Sequence, residues 1–220
     1  MNLETNQWQA RYIKWYMKKL NLSKQGLLNY VKKHSIKLLN FLVMVNLFRI
    51  ANDAIGDFNK LRAYQYGIIY TGVHRDFVSK SDEDFVDYVL NASDAQNPKT
   101  YEILEKAFYY VSTCKNFDFM EQMHEFDFWK NKFGRADMSI RKNDISDADK
   151  LKLKKIYNQI PDNTADLEYI FINDYHFVWD KKDSEWVKQN YAELIEMSRK
   201  YDLTNPVFVK AKKCSKSPKN

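Results

Sequence analysis

Glycine and proline are scarce in this chain: five Gly and four Pro among 220 residues. That is too few for the turn density of an all-β sandwich or barrel, and it suits long helices. Cysteine is nearly absent. Cys114 and Cys214 stand far apart and unpatterned, which excludes a disulfide framework, leaves zinc without ligands at local spacing and points to a reducing cytoplasm. Arginine is rare beside lysine, seven against twenty-eight. Reading bases and phosphates favours Arg forks, so the net charge of +6 is a weak pointer to nucleic acid. A long apolar run is also missing. The most apolar stretch, 36–55, is interrupted by Lys37, Asn40, Asn46, Arg49, Asn52 and Asp53, so no segment of the ~18–20 residues needed to span a bilayer is expected. The N-terminus shows no secretory pattern.

What is abundant is buriable surface. Hydrophobic residues make up 45 % of the chain and aromatic ones 15 %, enough for a real core at a mass of 26.4 kDa. Trp8, Tyr12, Trp15 and Tyr16 recur at helical spacing and predict a helix over Glu4–Leu20. Ser23 is a fitting N-cap for a second helix, Lys24–Lys33, and Ser35 for a third, Ile36–Ala54, closed by Gly56. Residues 58–73 read as extended or turning, leading into a short helix near Val73–Val78. Ser81 or Asp82 then caps a helix to Leu90. Thr100–Thr113 and Phe117–His124 follow as helices with a break between them, and 134–143 is a charged loop. Ser146 and Asp149 have capping-box spacing ahead of a helix to about Asn158.

Pro161-Asp162-Asn163 marks a boundary between residues 1–160 and 161–220. Beyond it, 167–172 and 175–179 read as a hairpin turning at Asn173-Asp174. Ser184 starts a helix carrying Trp186, Val187, Tyr191, Leu194 and Ile195. Residues 206–209 offer a third strand, and the basic tail from Ala211 is expected to be disordered.

Chemistry-bearing motifs are few. The chain has no glycine-rich phosphate loop, no Gly-x-Ser-x-Gly elbow and no His-Glu-x-x-His pair. His124 lies among Glu121, Glu125 and Asp127, an arrangement that suits a general base; a packed, hydrogen-bonded histidine is the preferred reading. Cys114 reads as an idle thiol. No catalytic residue, metal site or cofactor is therefore expected. The aromatic face of the first helix reads first as core. Its functional reading is a partner-binding patch of Trp8, Arg11, Tyr12 and Trp15, since Trp, Tyr and Arg dominate binding hot spots.

Three stretches carry a resemblance. Leu61-Arg-Ala-Tyr-Gln-Tyr-Gly-Ile-Ile69 follows a helix containing Lys37-Leu-Leu-Asn-Phe-Leu. It resembles the Ala-Trp-x-Tyr-Gly-Pro-Val signature of Panacea domains, also called SocA-like antitoxins. Ala63, Tyr66 and Gly67 match; Tyr64 replaces Trp and Ile68 replaces Pro. Met120–Trp129 is similar to the family's Leu-x-x-x-Thr-His-x-x-x-x-Trp element, with His124 and Trp129 at the family spacing and Met123 in place of Thr. Ile145-Ser-Asp-Ala-Asp149 looks like the family's Ile-Ser-Asp-Glu-Asp. The resemblance covers roughly residues 35–158.

It implies a non-enzymatic antitoxin that neutralises a cognate protein toxin by steric occlusion, in a phage or mobile element, with delivery of the toxin to an AAA+ protease as a related mode. Ala63, Gly67, His124 and Trp129 would be scaffold, and Tyr64, Tyr66 and Arg75 would join the binding patch. Removing residues 1–20 would then abolish binding without unfolding the rest. The alternative function is a nucleic-acid-binding regulator, motivated by the net charge and the Lys-rich tail. The expected fold is α+β but mainly α: a helical bundle with a small β-hairpin or sheet elaboration, and no membrane partner.

Overall fold

A computed structural model describes residues 3–79, 82–94, 97–173, 175–203 and 206–211. Ser81, Asp174 and the tail lysines from Lys212 onward fall outside the described residues. The chain is mainly helical with two small sheets, as expected, and divides into two compact units, Met1–Thr164 and Ala165–Asn220. The division falls a few residues beyond the expected boundary.

In the first unit, Asn6 and Gln9 form a reciprocal capping box that opens α1 (Gln7–Lys19). Ser23 caps α2 (Lys24–Ala51), accepting from the Gly26 N–H at 3.1 Å. The two helices expected here run together as one, kinked at His34 (φ −131°), so Ser35 is not a cap. Nor is Gly56 the stop. The helix ends at Asn52, and Asp53 takes the left-handed turn at φ 59°. Asp tolerates that region through its short polar side chain. Gly56 is needed for close approach instead: a Cβ there would come within 2.7 Å of Ile50 Cγ1.

The outgoing half of α2 is the central element. Phe41, Leu42, Val43, Met44, Val45, Leu47 and Phe48 are all buried. His34–Ala51 reaches a mean hydropathy of 1.2 over 18 residues, long and apolar enough to cross a membrane by length and composition, but 72 % of it is buried inside the protein. Core packing accounts for its apolarity, and of the residues that interrupt the apolar run Lys37, Asn46, Arg49 and Asn52 carry specific bonds. Asn46, for instance, clasps the Asp57 backbone from both sides, Nδ2 donating to its oxygen at 2.8 Å and Oδ1 accepting its N–H at 2.7 Å.

After α2 come β1 (Leu61–Tyr64), β2 (Gly67–Tyr70), α3 (Thr71–Ser79) and α4 (Asp82–Leu90). Next are α5 (Pro98–Thr113), with Asn97 as N-cap and Pro98 at its first turn, α6 (Asn116–His124), α7 (Asp127–Lys130) and α8 (Asp147–Gln159). The short α7 was not legible as an element from the sequence.

In the second unit, β3 (Leu167–Ile172) pairs antiparallel with β4 (Tyr175–Asp180), with Asn173 at φ 46° in the turn. β5 (Val207–Phe208) adds in parallel to β4. The expected single helix from Ser184 is two, α9 (Ser184–Gln189) and α10 (Tyr191–Lys200). Asn190 breaks it: its Nδ2 bonds the Trp186 carbonyl at 2.7 Å, an amide competing for backbone. Phe177, Trp179, Ile172, Val187, Leu194 and Val209 form this unit's own core.

Candidate functional site

The hairpin β1–β2 is built so that its turn, Gln65–Tyr66, stands clear. Tyr64 and Gly67 close it as partners. Gly67 sits at φ +106°, a conformation in which an L side chain is strained. The nearest atom a Cβ would meet is Met123 Cβ at 3.8 Å, so backbone conformation, not space, demands glycine. Ala63 is buried, and its N–H donates to the Met138 carbonyl at 2.9 Å while the Ile140 N–H donates to Leu61 at 2.9 Å. The charged loop expected at 134–143 thus lies along β1 as a partial third strand.

Trp129 locks the hairpin from the other side. Its Nε1–H donates to the Tyr64 carbonyl at 3.0 Å. The indole stacks on His124 with ring centroids 3.8 Å apart and on Phe133 at 4.6 Å. The His–Trp pair therefore pins the loop, but the hydrogen bond comes from the indole and not from the expected hydrogen-bonded histidine. His124 Nε2 has no hydrogen-bond partner among the described residues, and none joins the imidazole to Glu121 or Asp127.

Asp149 ties in the third stretch. The residue is fully buried. Its Oδ2 accepts from Ser146 Oγ at 2.9 Å in the α8 capping box, and its Oδ1 accepts the Asp127 N–H at 3.0 Å. One carboxylate therefore caps α7 and α8 together. The three stretches, around Tyr64, Trp129 and Asp149, are joined by hydrogen bonds at a single corner of the first unit.

The seven expected binding residues divide sharply. Tyr66, at the turn, is 76 % exposed. Tyr64 is half-buried, its carbonyl taken by Trp129. Tyr12 and Trp15 are 2 % and 9 % exposed and belong to the core. Trp15 stacks on Phe41 at 5.7 Å, and the Tyr12 hydroxyl accepts from Arg49 Nη1 at 3.3 Å, burial pushing its pKa up. This corrects the partner-binding reading of both.

Trp8 is half-buried, edge-on to Tyr12 at 4.4 Å and beneath the Arg49 guanidinium at 5.8 Å. Arg11 reaches Ser93 Oγ at 2.7 Å. Arg75 is exposed but forms an ion pair with Glu4, which also holds Lys60 at 2.6 Å. The segment leading into α1 is itself anchored: Asp76 Oδ2 accepts from the Glu4 and Thr5 N–H groups at 2.8 and 2.7 Å. The first helix is thus structural, and its removal would open the core, contrary to the truncation expectation. Phe133 was not singled out from the sequence, although it lies one helical turn beyond Trp129; it is partly exposed at the outer end of the ring stack.

Among the described residues no group of His, Cys, Asp and Glu is placed to hold a metal ion. Compared with protein-family models, with curated proteins and with solved structures, the chain matches none of them.

Proposed function

We propose that this chain is an antitoxin-like binding module whose hairpin corner meets a cognate protein toxin and neutralises it by occlusion in the cytoplasm. The observation that carries the reading is the convergence at that corner. The stretches around Tyr64, Trp129 and Asp149, which resemble Panacea elements and are up to 85 residues apart in the sequence numbering, meet through two hydrogen bonds.

The corner presents what a protein interface needs. Tyr66 and Phe133 are aromatic and exposed. They are held on a hairpin and a ring stack that are already ordered, so little side-chain or loop entropy is lost on docking. No reaction is asked of the corner: its histidine is stacked, and its carboxylate is occupied with two helix ends.

The test is affinity capture of the tagged chain from its native host at moderate salt, followed by expression of whatever co-elutes. The proposal expects one stoichiometric protein that is toxic alone and harmless when co-expressed with the wild-type chain. Co-elution of an AAA+ protease with it would add the adaptor mode. Recovery of nucleic acid alone, or of a partner without toxicity, would overturn the proposal, the former in favour of the regulator.

A further inference from the structure

Arginine is rare in this chain, seven residues in all, yet three of them sit on β1 and on the segment that lies along it. Arg62 faces Ser139 across an antiparallel bridge. Asp137 and Arg141 stand two residues to either side of Ser139, on the same face of an extended segment. Their side chains join, Arg141 Nη2 to Asp137 Oδ2 at 2.8 Å. On the hairpin, Ile69 is the cross-strand partner of Arg62, and Tyr64 shares its face. Arg135 follows two residues after Phe133, the outer ring of the Trp129 stack. Arg62, Arg135 and Lys142 are all exposed.

The carboxylates of this face are already taken. Asp137 Oδ1 accepts the Ser139 N–H at 3.0 Å while its Oδ2 meets Arg141, and these contacts hold the carboxyl below the usual range. Asp144 Oδ1 meets Lys132 at 3.1 Å, and its Oδ2 accepts the Arg141 N–H at 2.7 Å. Residues 62 and 132–144 carry five cations, Arg62, Lys132, Arg135, Arg141 and Lys142, against the two carboxylates. Among the described residues no carboxylate pairs with Arg62, Arg135 or Lys142. The exposed Glu125 belongs elsewhere, in a cleft with Lys152 and Lys155 of α8, and Asp127 opens α7 ahead of the ring stack.

We infer that the partner of the hairpin corner presents carboxylates to Arg62 and Arg135, as an acidic protein surface laid along β1 beside Tyr66 and Phe133. The inference rests on the corner being the partner face. A guanidinium fork matches a carboxylate with two parallel hydrogen bonds, which a lysine cannot do. Arginine beside exposed aromatic rings is the composition of a binding hot spot. The net charge of +6 adds long-range attraction for an acidic partner. Nucleic acid is disfavoured because Asp137 lies between Arg135 and Arg141 and interrupts the row of cations that a phosphate backbone would follow. A protein surface can match alternating signs residue by residue.

The experiment is a titration of the full-length 15N-labelled chain with a short glutamate-rich peptide, read by amide and arginine side-chain chemical shifts. Shifts are expected at Arg62, Arg135 and Ser139, with affinity falling as salt rises. Arg62→Glu combined with Arg135→Glu should weaken the peptide by about tenfold or more at unchanged circular dichroism. Lys188→Glu, on an exposed side chain of the second unit, should change it little. Shifts spread evenly over the lysines, an equal loss with Lys188→Glu, or tighter binding of single-stranded oligothymidylate at the same amides would overturn the inference. The titration needs no toxin, so the two readings fail separately. A toxin captured by wild type and lost with Tyr66→Asp, but retained by the arginine double variant, sinks the acidic partner alone; capture that survives Tyr66→Asp sinks the corner as the partner face.

Discussion

Replacing Trp129 by Phe separates the two things the indole does. Phe keeps an aromatic ring between His124 and Phe133 but loses the N–H that donates to the Tyr64 carbonyl at 3.0 Å. A neutral hydrogen bond contributes about 0.5–1.5 kcal/mol, and a stranded buried acceptor costs about 1–3 kcal/mol. Trp129 and Tyr64 are half-buried, so water reaches part of the site, and the expected loss is about 1–2 kcal/mol. Trp129→Ala removes the stack as well and should cost about 3 kcal/mol or more. Urea unfolding followed by circular dichroism reads both as falls in the midpoint at unchanged slope. Tyr66→Ala, at an exposed turn, should stay within about 0.5 kcal/mol of wild type. A Phe variant as stable as wild type, or as damaged as the Ala variant, would refute the assignment of the indole bond as the clasp.

Gly67→Ala should lose about 1–3 kcal/mol from backbone strain alone, because the space beside it is adequate; an undisturbed urea midpoint would contradict this. Asp149→Ala should lose about 2–4 kcal/mol by removing the carboxylate that caps α7 and the Ser146 end of α8 together, more than a single cap is worth, and calorimetry would show it. Lys37 donates to the Val111 and Cys114 carbonyls, and burial lowers its pKa to about 8. The unfolded chain holds that proton up to its ordinary value of 10.5, so between those limits the unfolded state binds more protons and stability rises with pH. Lys37→Met should flatten that rise relative to wild type, and parallel unfolding curves from pH 7.5 to about 10 would exclude the effect. Deleting residues 1–20 should unfold the first unit, since Tyr12, Ile13, Trp15 and Tyr16 each bury about 1.5–3 kcal/mol of apolar surface; a soluble truncated chain with native near-ultraviolet dichroism would contradict it.

Local chemistry was the legible part of this fold. Ser23 and the Ser146–Asp149 box announce their helices because a cap is a contact between near neighbours, whereas the Asn97 cap and Pro98 start α5 two residues before the expected Thr100. The β3–β4 hairpin was readable for the same reason. Failures came where a distant partner decides. Gly56 looks like a helix stop, but its role is set by Ile50 across the loop, and Asp53 supplies the turn. Ser35 looks like a cap, yet the two helical segments stay continuous through a kink at His34.

The candidate site divides in the same way. The resemblance picked out Tyr64, Gly67, His124 and Trp129, and capping-box spacing picked out Asp149, but not that Trp129 bonds Tyr64 or that Asp149 caps α7, since both contacts cross long sequence separations. Helical periodicity placed Trp8, Tyr12 and Trp15 on one face. It could not say whether that face meets solvent or α2, and burial decides for α2 in the case of Tyr12 and Trp15.

The central claim is that the hairpin corner carries the partner contact. Its most direct test is a parallel capture from the native host with wild-type chain and with Tyr66→Asp, which places a charge on an exposed side chain and leaves the Trp129 clasp in place. The account predicts that the partner recovered with wild type is reduced at least tenfold with the variant, at equal circular dichroism, and that neutralisation of its toxicity fails in parallel. Equal recovery with both chains would contradict the claim.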